Sequence, residues 1–161
     1  MAGFSRFKRF LKSFGSFSDF ALFARVLAAY PVIHTLVVIL PFNSLMKLLT
    51  PKRARPSWKN KPEKIVEYVT FALAAYSFVF RPTCLMRSLL LYRFLRMAGL
   101  GVDLHLGAFF NKRGKLKGHG WITLNGGIYP STAILRKKFK KIYSHPPRPD
   151  SSEELILSGS A

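Results

Sequence analysis

Two hydrophobic periods divide the chain at Gly99. Up to that point apolar residues recur every three to four positions, the spacing of a helix face; beyond it they alternate one by one, as on a strand. Phe4, Phe7, Phe10, Phe14 and Phe17 open the helical part on one face, with Arg6, Lys8, Arg9 and Lys12 off it. Such a segment suits a lipid surface, a partner or its own domain. Residues 19–50 are then very apolar, and Val26 to Phe42 carry no formal charge. Arg25 bounds that run, Pro31 and His34 interrupt it, and it is at or below the ~20 residues a membrane span needs. It also starts late, follows Asp19 and is too long for the apolar part of a secretory signal. Core helices are the expectation, split by Pro31 into about 19–29 and 32–40, followed by a short helix Asn43–Leu49 capped by Asn43.

Residues 50–62 are basic and proline-rich and read as a solvated connector. Ile65, Val66, Val69, Leu73 and Tyr76 predict a helix from Glu63 to Phe80. Leu85, Leu89, Leu90, Tyr92, Phe94 and Leu95 predict another over 83–98, ended by Gly99. After the change of period, Val102–Phe110 and Leu116–Leu124 read as strands, Asn125-Gly126-Gly127 as a tight turn, and Ile128-Tyr129 as the start of a third strand. Residues 133–143 form a short basic helix or strand, and a Pro- and Ser-rich tail follows. The fold class is α+β: N-terminal helices, then a small antiparallel sheet packed on the helix that carries Cys84. In these terms residues 1–60 are an amphipathic and apolar helical region, 61–143 the core, and 144–161 a disordered tail.

Charge changes the picture more than composition does. Twenty-six Lys and Arg against 7 Asp and Glu leave a net +19, which favours an anionic peptide, nucleic acid or lipid surface. One cysteine excludes an intramolecular disulfide. The 4 histidines and that cysteine lack metal-ligand spacing, and no glycine-rich phosphate loop appears, so no metal or cofactor is expected.

The chemistry concentrates on Cys84 and His119. Pro82 and Thr83 place Cys84 in a first helical turn, where unpaired N–H groups and the helix dipole favour a thiolate. His119 stands on a later strand, in Gly118-His119-Gly120-Trp121. A cysteine heading a helix and a histidine on a following strand is the layout of papain- and transglutaminase-type nucleophiles. Against this stands the ordinary case, a lone cysteine as a small buried hydrophobe. A third group normally orients the imidazole. No acid stands between residues 104 and 149; Asn125 follows His119 and could orient it, with Ser131 and Thr132 weaker hydroxyl candidates and Asp103 the nearest upstream carboxylate. Trp121 is a candidate wall for the substrate; His105 reads as a structural partner of Asp103, and His34 as a core histidine.

Cys84-Leu85-x-Arg87-Ser88-Leu89-x-Leu91-Tyr92-x-x-Leu95-Arg96-x-x-Gly99, then Leu104-His105-Leu106-Gly107 and His119-Gly120-Trp121-Ile122, resemble the transglutaminase-like cysteine peptidases of lasso-peptide biosynthesis. The likeness covers roughly residues 18–143. It implies a cytoplasmic enzyme, in contact with a membrane if its N-terminal segment binds one. Such an enzyme cuts the leader from a ribosomally made precursor peptide. It works with a small leader-recognition protein, while a separate ATP-using cyclase closes the ring. Cys84 takes the nucleophile position and His119 that of the base. The family's usual aspartate on the next strand is absent, and Ser131 stands near its place. The competing reading is a non-catalytic basic protein that binds a membrane or nucleic acid.

Overall fold

A computed structural model describes residues 17–55, 58–110, 113–130 and 140–147. The Phe- and cation-rich segment before Phe17, Ser131, Thr132 and the tail beyond residue 147 lie outside the described residues.

Helix α1 is one unbroken element, Phe17–Ile39, with Pro31 inside it, where a break at Pro31 is the local expectation. Packing overrides the local rule. An internal proline costs about 3 kcal/mol. On α1 the stripe Leu22, Val26, Tyr30 and Ile33 is fully buried across both halves, and each such side chain contributes roughly 1.5–3 kcal/mol. The Thr35 hydroxyl also donates to the Pro31 carbonyl at 2.9 Å. Near the start of α1, buried Asp19 accepts from Lys61 at 2.5 Å and Lys64 at 2.6 Å. Burial alone would push this carboxyl up, but the two lysine hydrogen bonds outweigh it and hold Asp19 below the usual carboxylate value.

Helix α2, Phe42–Leu49, starts directly behind Pro41 and has no side-chain cap, so Asn43 does not play that part. Its last turn ends on Thr50, whose hydroxyl donates to Met46 O at 2.8 Å and bonds Tyr92 Oη at 2.9 Å and His145 Nε2 at 3.1 Å. Helix α3, Pro62–Ala75, runs into a short 3₁₀ turn, Tyr76–Phe78. Tyr76 stacks on Tyr30 with ring centroids 4.7 Å apart. The basic connector before α3 hides a core residue: Trp58 is 1% exposed, with the guanidinium groups of Arg25 and Arg55 over its ring. Core residues from Leu22 to Ile122 form one cluster, so the N-terminal helices and the sheet share a single core.

Helix α4, Cys84–Met97, is the central element and is buried on most of its circumference. Thr83 caps it, accepting from Met86 N at 3.2 Å. Gly99, at φ +85°, closes it. Four antiparallel strands follow: β1 Val102–Phe110, β2 Leu116–Leu124, β3 Gly127–Tyr129 and β4 Lys140–His145, in the order β3-β2-β1-β4. Strand β4 runs two residues past the core boundary expected at 143, because Ser144 and His145 side chains are bonded into the structure. The architecture is α+β, with helices first and the sheet packed on α4.

Candidate active site

Strand β2 approaches α4 more closely than a side chain would comfortably allow. A Cβ on Gly120 would lie 3.4 Å from Leu85 Cα, 3.5 Å from Ser88 Oγ and 3.3 Å from Leu106 Cδ2. Glycine at this one position lets the His119 strand sit against the first turn of the Cys84 helix. Strand β3 pairs only with Ile122–Leu124, so among the described residues β2 from Leu116 to Trp121 has neighbours on one side alone. At that open edge lies a cleft of about 260 Å³. Cys84, Arg87, Ser88 and Leu91 line it from α4, with Pro82 and Thr83 at the helix start. His119, Gly120, Trp121 and Ile122 line it from β2, and Leu73, Tyr129 and Pro130 complete the wall. Cys84, half-buried, and His119 therefore share one cleft, and Trp121 is part of its wall.

The cleft's charge is simple. Among the described lining residues Arg87 is the one cation, and none is a carboxylate. Burial pushes the His119 imidazole below its ordinary value, so the neutral, proton-accepting form prevails at neutral pH. Trp121 stacks on the ring with centroids 6.2 Å apart and planes 18° from parallel. His105 packs on Trp121 in turn, at 5.6 Å. Three rings thus form a row along the sheet, His105–Trp121–His119.

Gly107 makes the row fit, and it was not singled out by sequence reasoning. It lies opposite His119 in the ladder. A Cβ there would come within 2.8 Å of Lys140 O and 2.9 Å of the Trp121 ring. A glycine inside a strand signals such a backbone approach, and that signal was available in Leu106-Gly107-Ala108. Gly107→Ala should displace either the indole or β4. We expect a loss of roughly 1–3 kcal/mol in stability, as overpacking typically costs, read as a lower denaturant midpoint with an unchanged slope.

His105 is held by hydroxyls from the two neighbouring strands. Its Nδ1 bonds Ser144 Oγ and its Nε2 bonds Thr123 Oγ1, both at 2.9 Å. Asp103 sits opposite Thr123, four ladder positions from the His119–Gly107 pair, or about 13 Å along the strand. Its charge acts on His145, opposing the burial and the Arg96 charge that push that imidazole down. Asn125 is not brought to the cleft. It occupies the turn after β2 at φ +52°, exposed, and six residues beyond His119, about 20 Å of strand. Ser131 follows the cleft residue Pro130 in sequence and lies outside the described residues. Among the described residues no group of His, Cys, Asp and Glu could hold a metal ion.

A family profile described as the transglutaminase-like superfamily matches residues 27–144, which span α1 from Leu27 into β4 and include every described residue that lines the cleft. No curated protein and no solved structure matches the chain.

Proposed function

Since the chain belongs to the transglutaminase-like superfamily, we propose that it is a cysteine peptidase that cuts the leader from a ribosomally made precursor peptide during lasso-peptide maturation. The observation that carries the peptidase half is the placement of Cys84 in the capped first turn of α4, in one cleft with His119. The precursor half rests on the likeness of the Cys84 and His119 segments to the lasso-peptide enzymes.

His119 takes the Sγ proton, and the thiolate attacks the scissile carbonyl carbon. The imidazolium gives that proton to the leaving amine as the C–N bond breaks, and the leader remains as a thioester on Cys84. Water then attacks the thioester, His119 accepts its proton, and the leader leaves as a carboxylate with the thiol restored. No cofactor enters these steps. The freed amine is the group a separate ATP-using cyclase would join into a ring. Apolar walls from Leu73, Leu91, Ile122 and Tyr129 suit an uncharged residue beside the scissile bond.

The cationic end of the sheet supplies attraction for an anionic leader or for a leader-recognition protein. Lys117 lies opposite Phe109 on β1, and Lys140 and Lys141 lie opposite Ala108 and Gly107, beside the ladder position of His119. Arg113 and Lys115 precede β2. Lys137 and Lys138 lie outside the described residues. Peptide affinity should fall steeply with salt, since the Debye length shrinks from ~10 Å at 0.1 M to ~3 Å at 1 M. Substituting Lys117, Lys140 and Lys141 by Gln should flatten that dependence in fluorescence anisotropy titrations. Affinity indifferent to both changes would mean that the cations only solvate the surface.

The test of the function itself is mass spectrometry of a precursor peptide incubated with the chain and the leader-recognition protein. Release of intact leader and core, dependent on Cys84, supports the assignment. An unchanged precursor, together with slow alkylation of Cys84 at neutral pH, favours the non-catalytic reading.

A further inference from the structure

Helix α1 is apolar on both sides, and only one side is buried in the core. Its buried stripe, Leu22, Val26, Tyr30 and Ile33, packs into the core. The opposite stripe is Phe17, Phe20, Ala24, Ala28, Val32, Thr35, Val38 and Ile39, and all of these are exposed. Phe17 is 85% exposed, Val38 77% and Ile39 68%. Spacings of three and four keep the stripe on one face, and 1.5 Å per residue makes it about 33 Å long. Arg25 is the one charged residue exposed on α1, and its guanidinium lies 5.6 Å from the Trp58 ring centroid rather than standing alone on the outer face. An apolar strip of this length on a soluble surface marks a contact site.

Charge says what the contact is. Cations flank the strip in sequence. Lys47, Lys52 and Arg53 follow α1 and are exposed, as is Leu48. Arg6, Lys8, Arg9 and Lys12 precede it in sequence, interleaved with Phe4, Phe7, Phe10 and Phe14, which keep the same three-and-four spacing as Phe17 and Phe20. An apolar face flanked by Lys and Arg in a chain of net +19 is complementary to a surface that is hydrocarbon within and anionic outside. We propose that α1 lies in the plane of an anionic lipid bilayer, with its outer stripe in the headgroup–acyl boundary and the flanking cations on the headgroups.

Composition alone would also let α1 cross a bilayer: 23 residues at a window hydropathy of 1.9. The structure speaks against crossing. The inner stripe packs on α3 and α4, and Asp19 is ion-paired to Lys61 and Lys64 of the folded domain. A helix held this way has one face for lipid, not a full circumference. Lipid docking is independent of the thiol chemistry.

The experiment is flotation of the full chain with phosphatidylcholine vesicles, with and without phosphatidylglycerol. The chain should float with the anionic vesicles alone, less so as salt rises. Val32→Glu with Val38→Glu should lower partitioning at least tenfold, and Lys52→Glu with Arg53→Glu should lower it and weaken its salt dependence. Both variants replace exposed residues, so circular dichroism and melting temperature should match wild type, as should alkylation of Cys84. A wild type that stays unbound to anionic vesicles, binds neutral ones equally well, or floats undiminished after the Val32 and Val38 changes overturns the proposal. So does a dimer in solution that those two changes abolish, which would make the strip a protein interface.

Discussion

Cys84→Ala should leave a folded protein that binds precursor peptide as wild type does and releases no cleaved product. The fold tolerates the change because Cys84 is half-buried at the helix start, outside the buried set that runs from Met86 to Leu95. The cap survives too, since Thr83 Oγ1 and Met86 N make it without the thiol. Binding survives because the cleft's apolar walls and the cations on β2 and β4 are untouched. Only the attacking atom goes. Without it there is no thioester, and water alone must attack an amide. Cys84→Ser keeps a nucleophilic oxygen, but one that His119 deprotonates far less readily, and should recover little. Wild type should take up iodoacetamide at Cys84, which lines the cleft, and Cys84→Ala should take up none. Cleavage by Cys84→Ala at an undiminished rate would remove the assignment, whatever the alkylation shows.

What was legible in the sequence is what local chemistry decides. Thr83 capping a helix at Cys84, Gly99 ending it, and Asn125-Gly126 turning β2 into β3 each depend on a few neighbouring residues, and each stands in the structure. The same holds for the change of period at Gly99, which separates helices from sheet. What was not legible depends on distant partners. Pro31 reads as a break because the rule for proline is local, whereas the packing that keeps α1 whole comes from residues on α3 and α4. Trp58 sits among Lys, Arg and Pro, and nothing beside it announces a core residue; its neighbours in space are Arg25 and Phe94. The hydroxyls that hold both ring nitrogens of His105 stand 18 and 39 residues away. Asn125 looked available to His119 in sequence, but an extended strand carries it away. The cleft itself was half legible: Cys84, His119 and Trp121 were read, while Leu73, Arg87 and Tyr129 were not assigned to it.

His119→Ala should lower turnover by about 10²–10⁴-fold, the usual contribution of a positioned proton-transfer group, with little change in peptide affinity. The choice of His119 over His105 is geometric. Both ring nitrogens of His105 are held by hydroxyls, Ser144 and Thr123, and the residue is 8% exposed. Such a ring supports Trp121 and cannot also shuttle a proton to a cleft. His119 is half-buried and lines the cleft that contains Cys84. The pH profile carries the sharper test. Burial disfavours the imidazolium of His119, so its base form persists to lower pH than that of an ordinary imidazole. The acidic limb of kcat/KM should therefore lie below about pH 6.5, the unperturbed histidine value. Activity should fall as pH drops through the limb, and His119→Ala should erase the limb along with the rate. His105→Ala should lower the melting temperature, since it strips two hydrogen bonds and the ring packed against Trp121. It should leave the limb in place, with a loss of rate smaller than that of His119→Ala. A limb that vanishes with His105 and persists without His119 would transfer the base to the other histidine.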